Sequence, residues 1–236
     1  MYQVEERHWW YQGMEAVTRA VLNRWVHIPQ PRILDAGCGT GAAMTTYLAE
    51  YGKVTGVDLY PQALDFCRKR KAPRLACASV LNLPFASASF ELVTSFDVLY
   101  ERAVSSDVVA LAEFFRVLTP TGRILLRLPA YDWLRGQHDK RVHTNLRYTK
   151  KLVKELLEQN GFVVEHLSYA NTWLFPLALI KRLSERIFPP KDNQSDLALN
   201  AGVFNNILKF ILASEAPFTA HIGLPYGLSV IAVGRK

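Results

Sequence analysis

Nine residues, Ile33-Leu34-Asp35-Ala36-Gly37-Cys38-Gly39-Thr40-Gly41, concentrate the chemistry of this chain. A short apolar run entering closely spaced glycines, with a helix-forming stretch behind it, is a nucleotide-binding device. Glycine turns tightly and brings backbone against a ligand where a Cβ would collide. Asp58 follows Asp35 by 23 residues and ends the next apolar run, where a carboxylate can accept from both hydroxyls of a ribose. Gly37, Gly39 and Ala42 also satisfy the dinucleotide spacing G-x-G-x-x-G/A. Asp35 argues the other way. It stands two residues before the first glycine, where a pyrophosphate site is ordinarily apolar, and an acid there suits a cationic or amine-bearing ligand. Thr40-Gly41 also makes a wider loop than a phosphate cradle needs.

A second concentration runs from Tyr131 to Tyr148 and holds His138 beside Asp139, then His143, among aromatic and basic residues. A loop of this kind over a rigid scaffold is a usual place for function. His138 or His143 is the candidate base or acceptor-orienting group, and a solvated basic loop is the competing reading. Metal binding is not expected, since the two histidines are five apart with no cysteine or second carboxylate at ligand spacing. Near the start, His8-Trp9-Trp10-Tyr11 is either a lid over the ligand or the packing face of a helix.

These groups need elements to hold them. Arg32–Asp35, Val54–Asp58, Leu75–Ala78, Phe90–Ser95 and Arg123–Leu128 read as strands. The helices between them are predicted over Ala42–Glu50, Pro61–Arg70 and Ser106–Leu118, the last stopped by Thr119-Pro120-Thr121-Gly122. Such alternation with short loops predicts an α/β fold, a doubly wound and mostly parallel sheet with helices on both faces. A leading helix is expected from about Glu5 to Val26. A helix over Thr149–Asn160, a strand at Phe162–Leu167 and a last strand at Gly227–Val233 bring the sheet to seven strands. Trp173–Phe188 and Leu197–Ser214 form a helical insertion, separated by Pro189-Pro190-Lys191-Asp192-Asn193. The reading is one domain over 1–236: an N-terminal lid or packing helix (1–28), a ligand-binding core (30–128), an acceptor-side loop (129–148), the insertion (171–220) and the final strand (225–236).

Composition agrees with one well-filled domain: half of the 236 residues are apolar and 11% aromatic, which excludes disorder as the main state. Cys38, Cys67 and Cys77 form no CxxC and suit a reducing, cytoplasmic setting. The first seven residues do not read as a secretory signal, and Trp173–Ile180, cut by Pro176 and stopped by Lys181-Arg182, is too short to span a bilayer. The net charge of +7 is local. The window Arg135–Lys154 holds seven basic residues and one acid.

In order along the chain, five stretches resemble the motifs of one family, the class I S-adenosylmethionine-dependent methyltransferases. Ile33–Ala43 is similar to their motif I, and Val57-Asp58-Leu59 to their second-strand acid motif. Leu83-Pro84-Phe85 with Ser89-Phe90-Glu91-Leu92-Val93 resembles "LPF…SFDLV", and Asp97–Glu101 the loop after strand four. Phe115–Gly122 resembles the "RVLKPGG" turn. The resemblance covers about residues 32–128 and points to the small-molecule branch often called methyltransferase type 11. It implies a Rossmann-like fold and S-adenosylmethionine as cofactor, with S-adenosylhomocysteine as product. Asp35 and the loop Gly37, Cys38, Gly39, Thr40 and Gly41 would hold the methionine portion, Asp58 the ribose and Leu59 the adenine. Tyr11, Ser79, Val80, Leu81, Phe96 and Tyr100 complete the expected cofactor set. Two positions depart: Ser79 stands where the family usually has Asp, so its contact to the adenine should be weaker, and Glu101 stands where relatives often have His.

The expected activity is methyl transfer to an oxygen or nitrogen of a small molecule, anionic or lipid-linked. An NAD(P)-dependent oxidoreductase and a non-catalytic cofactor-binding subunit are the alternatives. No Asn/Asp-Pro-Pro-Tyr/Phe follows strand four, where Ser95-Phe96-Asp97-Val98 stands, so nucleic acid is not the expected acceptor. Trp173–Ile180, apolar and then basic, reads as a contact to membrane or lipid, a cover for the core, or a homodimer contact.

Overall fold

A computed structural model describes residues 2, 4–135, 146–187, 202 and 204–236, without the side chains of 185–187. The elements are α1 (Trp9–Trp25), β1 (Arg32–Ala36), α2 (a π-helical turn Met44–Leu48 continuing as Ala49–Tyr51), β2 (Lys53–Asp58), α3 (Pro61–Lys69), β3 (Leu75–Cys77), β4 (Phe90–Phe96), α4 (Asp107–Val117), β5 (Leu118–Pro129), α5 (Lys150–Gln159), β6 (Val163–Ala170), α6 (Phe175–Ile187), α7 (Phe204–Ser214), α8 (Ala216–His221) and β7 (Ser229–Arg235).

The strands form the expected seven-stranded α/β sheet in the order β3-β2-β1-β4-β5-β7-β6. The first five are parallel, while β7 runs antiparallel to both β5 and β6. β6 therefore points the same way as β1 to β5, and their carboxyl ends share one edge. Both faces are covered, so the strands bury side chains alternately to two cores. Leu34, Val93, Leu126, Val230 and Ala232 enter one with α4 and α5. Ile33, Leu92, Leu125, Ile231 and Val233 enter the other with α1, α7 and α8.

Local chemistry sets the boundaries. α1 begins at Trp9 rather than Glu5 because His8 is extended, its Nδ1 accepting the Trp10 N–H at 3.2 Å. Ser106 and Thr149 cap α4 and α5 in the same way. β5 starts at Leu118, five residues before the expected Arg123, with a register shift against β4 that carries Thr119–Gly122 out as a turn. Thr121 holds a φ of +72° there.

The insertion adds a helix that periodicity did not suggest, the six-residue α8, whose start is anchored. Fully buried Glu215 accepts the backbone N–H of Asn171, of Thr172 at 2.8 Å and of Trp173 at 3.4 Å. α8 is thereby tied to the carboxyl end of β6. Pro189–Asn193 and most of the stretch before Phe204 lie outside the described residues.

Candidate functional site

The pairing of β1 with β4 sets Asp35 opposite Thr94, and the Thr94 hydroxyl donates to Asp35 Oδ1 at 2.9 Å. Asp35 is otherwise enclosed. Burial pushes its carboxyl up to about 6, against the opposing effects of the Thr94 bond and of Arg127. A carboxyl raised this way is poised to ionise against an incoming cation.

Beyond it, the amides of Gly37 and Cys38 both donate to the Val57 carbonyl, at 2.8 and 2.9 Å, and stitch the glycine loop to β2. Gly37 has a φ of +81°, and a Cβ there would stand 2.2 Å from Val98 Cγ2, so the loop after β4 seats directly on it. At Gly39 the same construction meets nothing within 4 Å. There a side chain would separate backbone from ligand, and its absence is the cradle a bound nucleoside or amino acid needs. Gly41 closes the turn, its amide donating to Cys38 O at 2.9 Å, and the Cys38 and Cys67 sulfurs pack 3.9 Å apart beneath.

Asp58 ends β2 with its carboxylate committed to backbone: Oδ2 accepts from the Gly39 amide and Oδ1 from that of Tyr60, both at 2.9 Å. The expected ribose ligand is thus also the brace of the glycine loop. Two carboxylate oxygens offer about four acceptor positions, so capacity for hydroxyls remains. Leu59 is exposed beside it. Ser79 accepts the Leu81 amide at 3.2 Å, Val80 is buried, and Leu81 packs partly buried against the core. The Ser79 hydroxyl thus serves a local turn where the family's Asp would carry charge.

The leading segment lies across this loop. Glu5, buried, accepts from the Thr40 hydroxyl and pairs with Arg70 at 3.3 Å. Arg70 also meets Glu6 and lies 4.5 Å over the Tyr2 ring. Glu5 thus joins the leading segment to the loop, while α1 packs on the core through Met14, Val17 and Val21. His8 is buried, and among the described residues its Nε2 and the Trp9 indole N–H have no partner. Tyr11 sits edge-on to Trp10 at 5.0 Å. Burial, reinforced by Glu5 and Asp97, pushes its phenol well above the usual range.

One group that sequence reasoning missed is Arg127. It donates to Asp97 at 2.8 Å with its guanidinium 5.1 Å from the Trp10 ring and 4.9 Å from Phe96. This half-buried pair joins α1, β4 and β5 beside the site. The signal was present as a lone arginine in the apolar strand Ile124-Leu125-Leu126-Arg127-Leu128.

On the acceptor side, Tyr100 and Glu101 follow on the loop seated on Gly37. Burial, with Asp58 and Asp97 adding like charge, pushes the Glu101 carboxyl up to about 7. Farther along the same edge, Tyr131 stacks on Tyr169 at 5.1 Å, and Trp133, Phe175 and Tyr226 continue the aromatic wall. Lys150 turns inward, donating to Leu224 O at 3.2 Å over the Tyr169 ring. It therefore does not present its charge to an acceptor as the basic window suggested. His138 and His143 lie outside the described residues.

Comparison with known proteins agrees with this geometry. Residues 34–126 match the family model described as "Methyltransferase domain". An uncharacterized methyltransferase, YodH, of Bacillus subtilis is 40% identical over 122 residues, which cover 49% of this chain and 50% of that protein. A malonyl-[acyl-carrier protein] O-methyltransferase of Halorhodospira halophila is 35% identical over 127 residues, 49% of this chain and 42% of its own length. The chain thus spans about half the length of the curated relatives it matches. Among solved structures, geranyl diphosphate C-methyltransferase from Streptomyces coelicolor, crystallised with S-adenosyl-L-homocysteine, superposes with a TM-score of 0.62 at 16% identity, covering 94% of this chain and 79% of that one. That last likeness is one of fold. The matched segment, residues 34–126, holds Asp35, the glycine loop, Asp58 and the loop after β4, and it is this segment that carries the methyltransferase domain of the class I S-adenosylmethionine-dependent family.

Proposed function

We propose that this protein transfers a methyl group from S-adenosylmethionine to an oxygen or nitrogen of a small-molecule acceptor. The observation that carries the reading is the enclosed Asp35 carboxyl directly beneath a glycine loop braced by Asp58. A pyrophosphate would meet repulsion there, whereas an amino-acid ammonium gains a partner and a ribose gains an acceptor.

The residues fit that cofactor. Asp35 with Gly37, Cys38, Gly39, Thr40 and Gly41 would hold its methionine portion, Asp58 its ribose hydroxyls, and Leu59, Ser79, Val80 and Leu81 its adenine. Tyr11, Phe96 and Tyr100 would border it on the acceptor side. When bound, the cofactor supplies an electrophilic methyl on a sulfonium. The protein's share is alignment of the acceptor and removal of its proton. Glu101 suits the second task, with a carboxyl near 7 on the loop seated against Gly37. His138 and His143 are the other candidates for it. The aromatic wall from Tyr131 to Tyr226 suits a flat or apolar acceptor body, and the basic window 135–154 favours one bearing phosphate or carboxylate.

The test is a screen for methyl transfer from labelled cofactor over phenols, sugars, amines and carboxylic acids, each as free and lipid-linked forms. Transfer to oxygen or nitrogen, lost in Asp35→Asn, is expected. Transfer to carbon alone, or cofactor binding without turnover on any of them, would overturn the reading.

A further inference from the structure

We propose that the helical insertion seats the protein on an anionic bilayer, its Trp173, Leu177, Ile180, Phe210, Phe218 and Ile222 entering the boundary between headgroups and acyl chains. The first observation is an inverted helix. Trp173, two residues before α6, and Leu177, Ile180 and Leu183 are spaced by four, three and three, so they share one stripe. All four are exposed, Ile180 at 64%, while Phe175, Ala178 and Leu179 on the opposite side are partly covered. A helix serving only the fold would turn its apolar stripe inward.

α8 extends the surface, and α7 presents exposed apolar side chains of its own. The Trp173 ring meets Phe218 of α8 edge-on at 5.9 Å, and Ile222 just beyond α8 is 75% exposed. α7 packs on the core through Leu208 and Leu212 but leaves Phe204, Ile207 and Phe210 outward, the last at 74%. Among the described residues, nine of the eighteen exposed large apolar side chains fall between Trp173 and Ile222. Concentrations of this size mark a contact surface.

Its chemistry favours a lipid surface over a second protein. Tryptophan and phenylalanine are the side chains that settle at a bilayer boundary, and cations beside them are drawn to acidic headgroups. Residues 131–236 carry 14 basic against 9 acidic residues, and Lys181, Arg182 and Lys209 stand on α6 and α7 themselves. The start of α5, with exposed Lys151, adjoins the same sheet edge as the end of β6 from which α6 departs, while Lys150 there turns inward. Among the described residues no helix is long and apolar enough to cross a membrane, so the surface would lie on the bilayer. The position is fixed from two sides. Glu215 ties Trp173 and its neighbours to the start of α8, and the Asn205 side chain of α7 bonds Trp9 N at 2.8 Å and Arg7 O at 2.9 Å. The docked face therefore flanks the edge that carries the glycine loop.

The experiment is flotation of the full chain, without cofactor, with vesicles of phosphatidylcholine containing one part in about three of phosphatidylglycerol, and with phosphatidylcholine vesicles alone. At least about tenfold stronger partition to the acidic vesicles is expected, weakening as salt is raised. Ile180→Asp with Phe210→Asp should reduce it by about tenfold or more with the thermal midpoint unchanged, because both side chains are exposed. Absence of flotation, or equal partition to both vesicle types, would overturn the proposal. So would a dimer in sedimentation that the same substitutions dissociate, which would assign the face to a second copy. Binding of S-adenosylhomocysteine plays no part in the readout, so the proposal can fail while the methyltransferase reading stands.

Discussion

The amide of Gly39 donates to the Asp58 carboxylate at 2.9 Å, which makes the glycine loop and the acid at the end of β2 a single hydrogen-bonded unit. In the proposed cofactor site one side chain would therefore both shape the loop and take the cofactor's sugar. Asp58→Asn keeps the size but sets an amide where two backbone donors converge. With hydrogen bonds to a charged group contributing roughly 1.5–3 kcal/mol, affinity for S-adenosylhomocysteine should fall by about 10- to 100-fold. Calorimetric titration measures it, and a change within about twofold would contradict the dual role.

Asp35 should make cofactor binding depend on pH. Its carboxyl in the free protein is pushed up to about 6 by burial, so below that pH it carries a proton that an ammonium ligand must displace. Affinity for S-adenosylhomocysteine should therefore rise with pH, by up to about tenfold per unit below pH 6, and level off above it. Asp35→Asn should bind weakly with a flat profile. A flat profile in the unaltered protein would contradict the assignment.

Glu101 carries a stability signature that needs no acceptor. Its folded carboxyl, up to about 7 against an ordinary 4.5, holds a proton that the unfolded chain has released. Stability is accordingly lost as pH rises from about 4.5 through 7, and Glu101→Gln has no such slope. The variant should match the unaltered protein at pH 4.5 and melt about 2 °C higher or more at pH 8. Equal midpoints at both pH values would argue against an enclosed carboxyl, and with it against the proton-accepting role.

Thr121 sits at φ +72°, in the left-handed region, within the turn that opens β5. The resemblance to the "RVLKPGG" turn has glycine at that point. Thr121→Gly relieves about 1 kcal/mol of backbone strain, part of it offset by the greater freedom of the unfolded chain. The thermal midpoint should rise by about 1–2 °C, with cofactor affinity unchanged. A lower midpoint would contradict the strain.

Periodicity and glycine spacing were sufficient for the strands, the order of the helices and the Asp35–Gly41–Asp58 constellation, because each of these is written in neighbouring residues. What could not be read were contacts between residues far apart in the chain. Glu5 reaching Thr40, Arg127 between Trp10 and Phe96, and Glu215 closing on the end of β6 are each polar groups whose partners only the folded topology supplies. Their residue types gave a faint sign. Arg127 interrupts an apolar strand, and Glu215 is the single acid between Phe204 and Lys236. Lys150 shows the opposite error: it was counted with the basic window, yet the packing of α5 on β6 turns it inward to Leu224. α8 was missed because six residues are too short to establish a period.

The most direct measurement is titration of the purified protein with S-adenosylhomocysteine and, separately, with NADH. Saturable one-to-one binding of S-adenosylhomocysteine, abolished or severely weakened in Asp35→Asn, with no saturable binding of NADH, is the expected result. Saturable binding of NADH alone would return the glycine loop to a dinucleotide and contradict the methyltransferase reading.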